Sequence, residues 1–462
     1  MTPHDLRGSL IICALFFSLL VIAELWMRLG SPKPEWTRKL VHLGGGMIGI
    51  FLPWLIVSPL VVFVLTASLS AIFLLGDKLK LLKALHGVER KSRGSEYYPL
   101  AIWLVFVVAA DEPWLYLSAV LVLALADAFA ALVGSRYGVL RYEVEDSYKS
   151  VEGSVVFFFI AFMAVHLPML LMTELPRATC VLAALLVAML VTLFEAIALE
   201  GADNIFIPIA VVYVLQKITT KPVTEIAYQN LSLVAIIAVI ALLDWKFRWF
   251  NVGGALTVIL FTFATWSLGS RRWSAPVFLA LAAFILIRTF FASRVGEPLK
   301  VRTLSRMLMV PFLFLLGANM TGRYDFFYGP YVAASAAVLA FILWTGGVRL
   351  RLFGGWNRIL VAIAIGLAGA AIVALPMWAI YRSTPWTAIA GLLAVIAVMS
   401  LVNAVLTGRR LEAGWTATPF LLAVLTGALL LVLQQTQVVS PWRSQKKPLL
   451  QDRAPGSVSY RG

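Results

Sequence analysis

Long apolar runs separated by short polar loops recur from one end of the chain to the other. Runs of roughly 17 to 25 apolar residues cross about 30 Å of hydrocarbon. Stretches near that length fall at 9–29, 40–57, 59–75, 98–110, 114–134, 154–173, 179–199, 204–217, 230–243, 252–268, 274–291, 307–320, 331–345, 357–380, 387–407 and 416–434. They hold Gly and Pro but lack the period-two alternation of barrel strands, so they predict an all-α polytopic membrane protein of about 14 to 16 transmembrane helices. The runs at 98–110 and 204–217 are short for a crossing and are expected to begin inside the adjoining loop or to be re-entrant. The first run lacks a small-residue cleavage site and ends at Glu24, Trp26 and Arg28, as a retained signal anchor does.

Composition excludes a water-soluble fold: the 462 residues are 61% hydrophobic and 13% charged, where soluble domains carry about 25% charged residues. Cys13 and Cys180 both lie in apolar runs and imply neither a disulfide framework nor a metal cluster. The formal charge of +15 is read as basic cytoplasmic loops, not as a nucleic-acid partner. With residue 1 outside, the loops at 30–39, 76–97, 135–153, 200–203, 244–251, 292–306, 346–356 and 408–415 face the cytoplasm and carry most Lys and Arg before residue 434. Arg443, Lys446, Lys447, Arg453 and Arg461 in the tail run against that count. On this topology the polar clusters of the first half share the cytoplasmic face, where soluble nucleotide is found.

The most informative segment is Lys149-Ser150-Val151-Glu152-Gly153-Ser154, just before the run at 154–173. A helix start offers unpaired N–H groups and a positive dipole end, Gly153 allows close approach, and Lys149 adds a mobile cation, all of which suit a phosphate. A plain helix cap with a snorkelling lysine explains the same residues. Asp127 lies about seven residues, roughly 10 Å, before the cytoplasmic end of its helix at Gly134. An ionisable group at such depth is by default functional, whereas Ala124, Ala128, Ala131 and Gly134 on the same helix suit close packing. Neutralising Asp127 is expected to leave stability unchanged or raised.

Glu195 lies about six residues before the end of its own run, a depth of roughly 9 Å that matches Asp127. Glu200, Asp203 and Asn204 follow at the membrane edge; Asp203 suits a helix cap or, with Asp127, Glu195 and Glu152, a magnesium site. Arg38 and His42 share a helix face, with Lys39 beside them, as phosphate-binding cations or as an interfacial anchor. Lys91, Arg93 and Glu96, before Tyr97-Tyr98-Pro99, form a weaker cluster. Gly44, Gly46 and Gly49 match G-x-G-x-x-G inside an apolar run without a βαβ unit, so no dinucleotide site is expected, and there is no Walker A sequence.

The ordered set RKLVH at 38–42, ERKSRGSEYYP at 89–99, ADAFAALVGSRYG at 126–138, KSVEGS at 149–154 and EAIALEGADNIFIP at 195–208 resembles the phytol kinase and dolichol kinase family over residues 35–215. Ala126 stands where those relatives commonly carry Gly. The resemblance implies CTP-dependent phosphorylation of a long-chain alcohol such as phytol or a polyprenol, or in some relatives of diacylglycerol. It suggests a kinase-like domain at 1–220 and a second membrane module at 221–462. The stretches NVGGAL at 251–256 and LGAN at 316–319 faintly resemble the membrane family containing plant phytyl-phosphate kinase but lack its acidic residues, so the second module is given no role.

On this reading Asp127, Glu152, Asp203 and Asn204 hold Mg²⁺, and Asp127, Glu195 or Asp203 serves as base. Arg38, Lys39, His42, Lys149, Ser150, Gly153 and Ser154 hold nucleotide phosphate. The lipid alcohol comes from the bilayer and the nucleotide from the cytoplasm. A cytidylyltransferase is disfavoured because its C-terminal Lys, Asp and Gly-His-Gly-Gly signature is absent. A transporter is disfavoured because the acids cluster near one face without an inverted repeat.

Overall fold

The fold comes from a computed structural model that describes residues 2–30, 32, 34–79, 94–145, 147–199, 201–290, 299–349, 357–380, 385–407 and 418–442. Lys91, Arg93, Glu200 and the basic residues of the C-terminal tail lie outside them. Eleven described helices are long and apolar enough to cross a bilayer, and three shorter apolar helices, Glu96–Ala109, Arg272–Ile287 and Phe420–Gln435, accompany them. The chain is an all-α polytopic membrane protein.

It forms two compact units, Met1–Val234 and Ala235–Asp452. In the first, the order is α1 (Pro3–Gly30), α2 (Pro34–Ile50), the single turn α3 (Leu52–Leu55), α4 (Pro59–Leu79), α5 (Gly94–Ala109), α6 (Pro113–Leu121) and α7 (Asp127–Tyr137). A hairpin of β1 (Arg141–Val144) and β2 (Ser147–Ser150) leads to α8 (Val151–Met172), α9 (Arg177–Ile197) and α10 (Asp203–Ile218). Helix α11 (Val223–Phe247) runs across the division between the units.

Two apolar runs are reshaped by local chemistry. The run at 40–57 does not continue as one helix, because Pro53 supplies no N–H and suits the start of α3. The loop at 135–153 contains the hairpin, with Tyr142 opposite Lys149 and Arg141 opposite Ser150. Glu145 takes a left-handed backbone at its turn, φ 52°.

The second unit contains α12 (Val252–Phe290), α13 (Val301–Thr321), α14 (Tyr324–Arg349), α15 (Arg358–Ile380), α16 (Trp386–Thr407) and α17 (Thr418–Gln435). Its core helix is α14, whose apolar window is 83% buried. Helix α12 is broken at Ser270, where φ 73° and ψ 176° are costly for a residue with a side chain. Carbonyls after the break find donors on α14: the Tyr328 hydroxyl donates to Arg272 O at 3.0 Å, and Tyr331 donates to Trp273 O.

Candidate functional site

Helices of the first unit surround a cavity of about 750 Å³. It gathers Arg38, Lys39, His42, Asp127, Lys149, Ser150, Gly153, Ser154, Glu195, Asp203 and Asn204 from five separate stretches of sequence. Glu152 is the one proposed site residue that does not line it.

Asp127 owes its position to an irregular turn. Residues Val122–Ala126, between α6 and α7, form a π turn, a feature often found where a helix serves a site. His42 Nε2 lies 3.0 Å from the carbonyl of Leu123 in this turn and 3.3 Å from Asp127 Oδ2. Lys39 Nζ donates to Asp127 Oδ2 at 2.6 Å. One turn of α2 thus places two nitrogen donors around one carboxylate, in a pair with side chains only 8% and 22% exposed.

This pairing argues against the expectation that neutralising Asp127 leaves stability unchanged or raised. Removing one partner of a buried ion pair leaves the other charge uncompensated, at about 3–5 kcal/mol. The partial exposure of Asp127 places its cost at the lower end.

A second pair stands beside the first. Lys149 Nζ, on β2, donates to Glu195 Oε1 at 2.8 Å and to the Glu195 carbonyl. Burial works against the charge of Lys149, but the carboxylates of Glu195 and Asp203 overcome it and hold the ammonium above the ordinary lysine range. Cations and acids that the sequence suggests for separate duties are therefore joined in pairs.

The other side chains of the 149–154 segment also have structural partners. Ser150 caps α8 by accepting the Gly153 N–H at 3.1 Å. Gly153 lies against α7, where an added Cβ would sit 3.1 Å from the Ala130 carbonyl and 3.4 Å from Gly134 Cα. Ser154 Oγ and the Tyr142 hydroxyl are 2.8 Å apart. Glu152 Oε1 accepts the N–H groups of Val139 and Leu140 at 2.9 and 3.0 Å. It anchors the chain entering the hairpin and does not line the cavity with the other proposed metal ligands.

Between α9 and α10, Gly201 adopts φ 87°, a conformation that favours glycine. The turn brings Asp203 to the cavity, where Asp127, Lys149, Glu195 and Lys39 all act on it electrostatically. Asn204 fixes the start of α10 by donating its amide to the Gly94 carbonyl at 2.8 Å.

Sequence reasoning gave Tyr98 little weight. Its ring lies 4.3 Å from that of His42, and its buried hydroxyl has no hydrogen-bond partner among the described residues. The Tyr97-Tyr98-Pro99 segment was a signal for this position, though a weak one. Arg141, which also lines the cavity, carried none.

Fold and site together define a polytopic membrane protein whose first unit holds a charge-paired polar centre continuous with an apolar chamber. Among curated proteins, the chain is 33% identical over 148 residues to a phytol kinase of Synechocystis, to which it is distantly related. The match covers 32% of this chain and 64% of that protein, so the chain spans less than two thirds of the relative's length. No protein-family model matches the chain. No solved structure matches it either.

Proposed function

We propose that the first unit phosphorylates a long-chain lipid alcohol, of the phytol or polyprenol type, with a nucleoside triphosphate as donor and CTP as the preferred one. The observation that carries this reading is the continuity of the cavity: two lysine–carboxylate pairs at one end and apolar walls of α1, α2 and α4 at the other. The name of the Synechocystis relative supports the acceptor class.

The alcohol oxygen attacks the γ-phosphorus as the bond to the β,γ-bridging oxygen breaks. The hydroxyl proton passes to a carboxylate, and the products are a lipid monophosphate and a nucleoside diphosphate. Such transfer depends on positioning and charge neutralisation more than on covalent help. Lys39 and Lys149 exchange part of their pairing with Asp127 and Glu195 for phosphate oxygens. That exchange frees the carboxylates of Asp127 and Glu195, one for the metal and one for the proton, while the Tyr98 hydroxyl orients the alcohol.

Among the described residues no group of three or more His, Cys, Asp or Glu is placed to hold a metal. Mg²⁺ commonly takes only one or two carboxylates, with substrate phosphates and water completing its shell. Asp127 and Asp203, which line the same cavity, offer the two carboxylates that this smaller demand calls for. They are the residues that would hold Mg²⁺, and the ion would neutralise phosphate charge.

The test is incubation of the purified protein with labelled CTP or ATP and a panel of lipid alcohols. Lipid monophosphate with CDP is expected. Pyrophosphate release with a CDP-lipid would replace this reading by a cytidylyltransferase, and phosphorylation of diacylglycerol alone would change the acceptor. The proposal also puts the polar end on the cytoplasmic side, so a cysteine introduced at Ala202 should be closed to reagents added outside.

A further inference from the structure

The cavity of the first unit is lined by exposed residues of two opposite kinds. At the polar end, Ser135, Arg141 and Tyr148 line it and are exposed. At the other end, Cys13 and Phe17 of α1 and Ser68 and Ile72 of α4 both line the cavity and reach the outer surface. Each pair is spaced four residues apart and so shares one helix face. The two faces border a gap, because α1 and α4 scarcely touch.

We propose that this gap is a lateral portal, through which the single aliphatic chain of the acceptor alcohol passes from the bilayer into an apolar limb beside α2. The inference rests on the kinase reading and extends it by stating where the chain lies and how it arrives.

Three features favour a lipid chain as occupant. The portal is bordered by a membrane-facing helix, since only 11% of the apolar window of α1 is buried. Ala23, Val41 and Phe73 pack together with Leu20 and Leu69 against them, joining α1, α2 and α4. Leu20, Val41, Leu69 and Phe73 of this cluster line the cavity itself, so the way from the portal to the charged centre is walled by apolar side chains that suit a hydrocarbon chain and disfavour an ion. Finally, Thr66 inside the limb spends its hydroxyl on its own helix, donating to the carbonyls of Val62 and Phe63 at 2.9 and 3.1 Å. A chamber with so few polar partners holds water poorly.

Depth agrees with this occupant. The limb runs beside α2 from His42 to Gly49 and reaches Leu52 at the start of α3. The seven residues from His42 to Gly49 at helical rise correspond to about 10 Å, a third of a hydrocarbon core of about 30 Å. A chain lying there runs within one leaflet, with its hydroxyl beside Tyr98 and Asp127.

The test uses the full chain in phosphatidylcholine vesicles. A saturated long-chain alcohol with a diazirine at its tail should, on illumination, label α1 around Ile12 to Phe17 and α4 around Leu65 to Ile72. Unlabelled alcohol should compete. Labelling spread over the outer helix faces, or equal labelling of the limb by diazirine-tagged phosphatidylcholine that alcohol fails to displace, would overturn the portal.

As a second arm, Cys13→Trp combined with Ser68→Trp narrows the gap at exposed positions, and thermal stability of the same samples checks folding. KM for the long-chain alcohol should rise at least about tenfold, with turnover of the short alcohol prenol and KM for the nucleotide unchanged. An unchanged KM in the folded variant would overturn the portal. The two readings fail separately: a labelled limb in a protein that phosphorylates no alcohol refutes the kinase and keeps the portal. A kinase whose limb stays unlabelled does the reverse.

Discussion

The two units bury polar groups in different ways. In the first, charged side chains are taken inside and matched across helices, with Lys39 on Asp127, Lys149 on Glu195, and Asp5 accepting the N–H groups of Val57 and Ser58 at 2.9 and 3.3 Å. In the second, Arg272 brings a buried guanidinium nitrogen, Nη1, but the fully buried polar side chains among the described residues are all neutral. Many of these spend a hydroxyl on their own helix, as Thr265 does on Phe261 O at 2.8 Å and Thr426 on Leu422 O at 2.7 Å. Neutral groups satisfied this way are cheap to hold in an apolar setting, whereas a charge there needs a partner and marks function. The contrast is the reason the proposal places the chemistry in the first unit.

The largest effect is expected at Asp127. Asp127→Asn should lower lipid-phosphate formation by at least about 100-fold and lower stability toward the bottom of the about 3–5 kcal/mol range for a broken buried pair. Lys39→Met added to it should restore thermal stability but not activity. A double variant that recovers both would reduce the pair to a packing element and erase the contrast between the units.

Lys149→Met should act alike, with a loss of activity of about 100-fold. The parent's pH behaviour follows from its charge state. A lysine raised on folding contributes its stabilisation in full below its unfolded value and loses it as pH rises through the folded one. Lys149 should therefore add no slope to melting temperature across neutral pH, with its contribution fading only in strong alkali. A melting profile that falls through neutrality in the parent but is flat in Lys149→Met would contradict the pairing with Glu195.

Truncation probes the contrast at the level of whole units. A chain ending near residue 225 removes Asn230, whose amide donates to Leu182 O at 3.0 Å and ties α11 to α9. It should fail to fold, whereas a chain ending after Phe247 should retain nucleotide-dependent phosphorylation. A folded but inactive longer chain would give the second unit a share in catalysis.

Much of this was legible in residue patterns. Apolar run lengths mark the helices, and the buried acids Asp127 and Glu195 stand out because hydrocarbon makes them costly. What could not be read was the pairing, since Lys39 and Asp127 are 88 positions apart and Lys149 and Glu195 are 46 apart. Periodicity reports the face of one helix, not the neighbour that meets it. The π turn before Asp127 carries no Gly or Pro to announce it, and the direction of Glu152 depends on a hairpin hidden in a polar loop. Tyr98 stands beside a weak polar cluster in the sequence, and nothing in that pattern shows that its hydroxyl is buried beside His42.

The smallest effect is expected in the second unit, where the neutral network can be cut cleanly. Asn319 donates to Leu268 O and Leu315 O, both at 3.2 Å, and accepts from the Tyr324 hydroxyl at 3.1 Å, linking α12, α13 and α14. Asn319→Leu removes these bonds without leaving a charge behind. Hydrogen bonds between membrane helices are worth about 0.6 kcal/mol on average and at most about 1.7, so melting temperature should fall slightly. kcat and KM for alcohol and nucleotide should stay at parent values. A drop in kcat at unchanged stability would mean that the second unit reaches the reaction through its neutral polar groups. Loss of charge would then no longer separate the working unit from the supporting one.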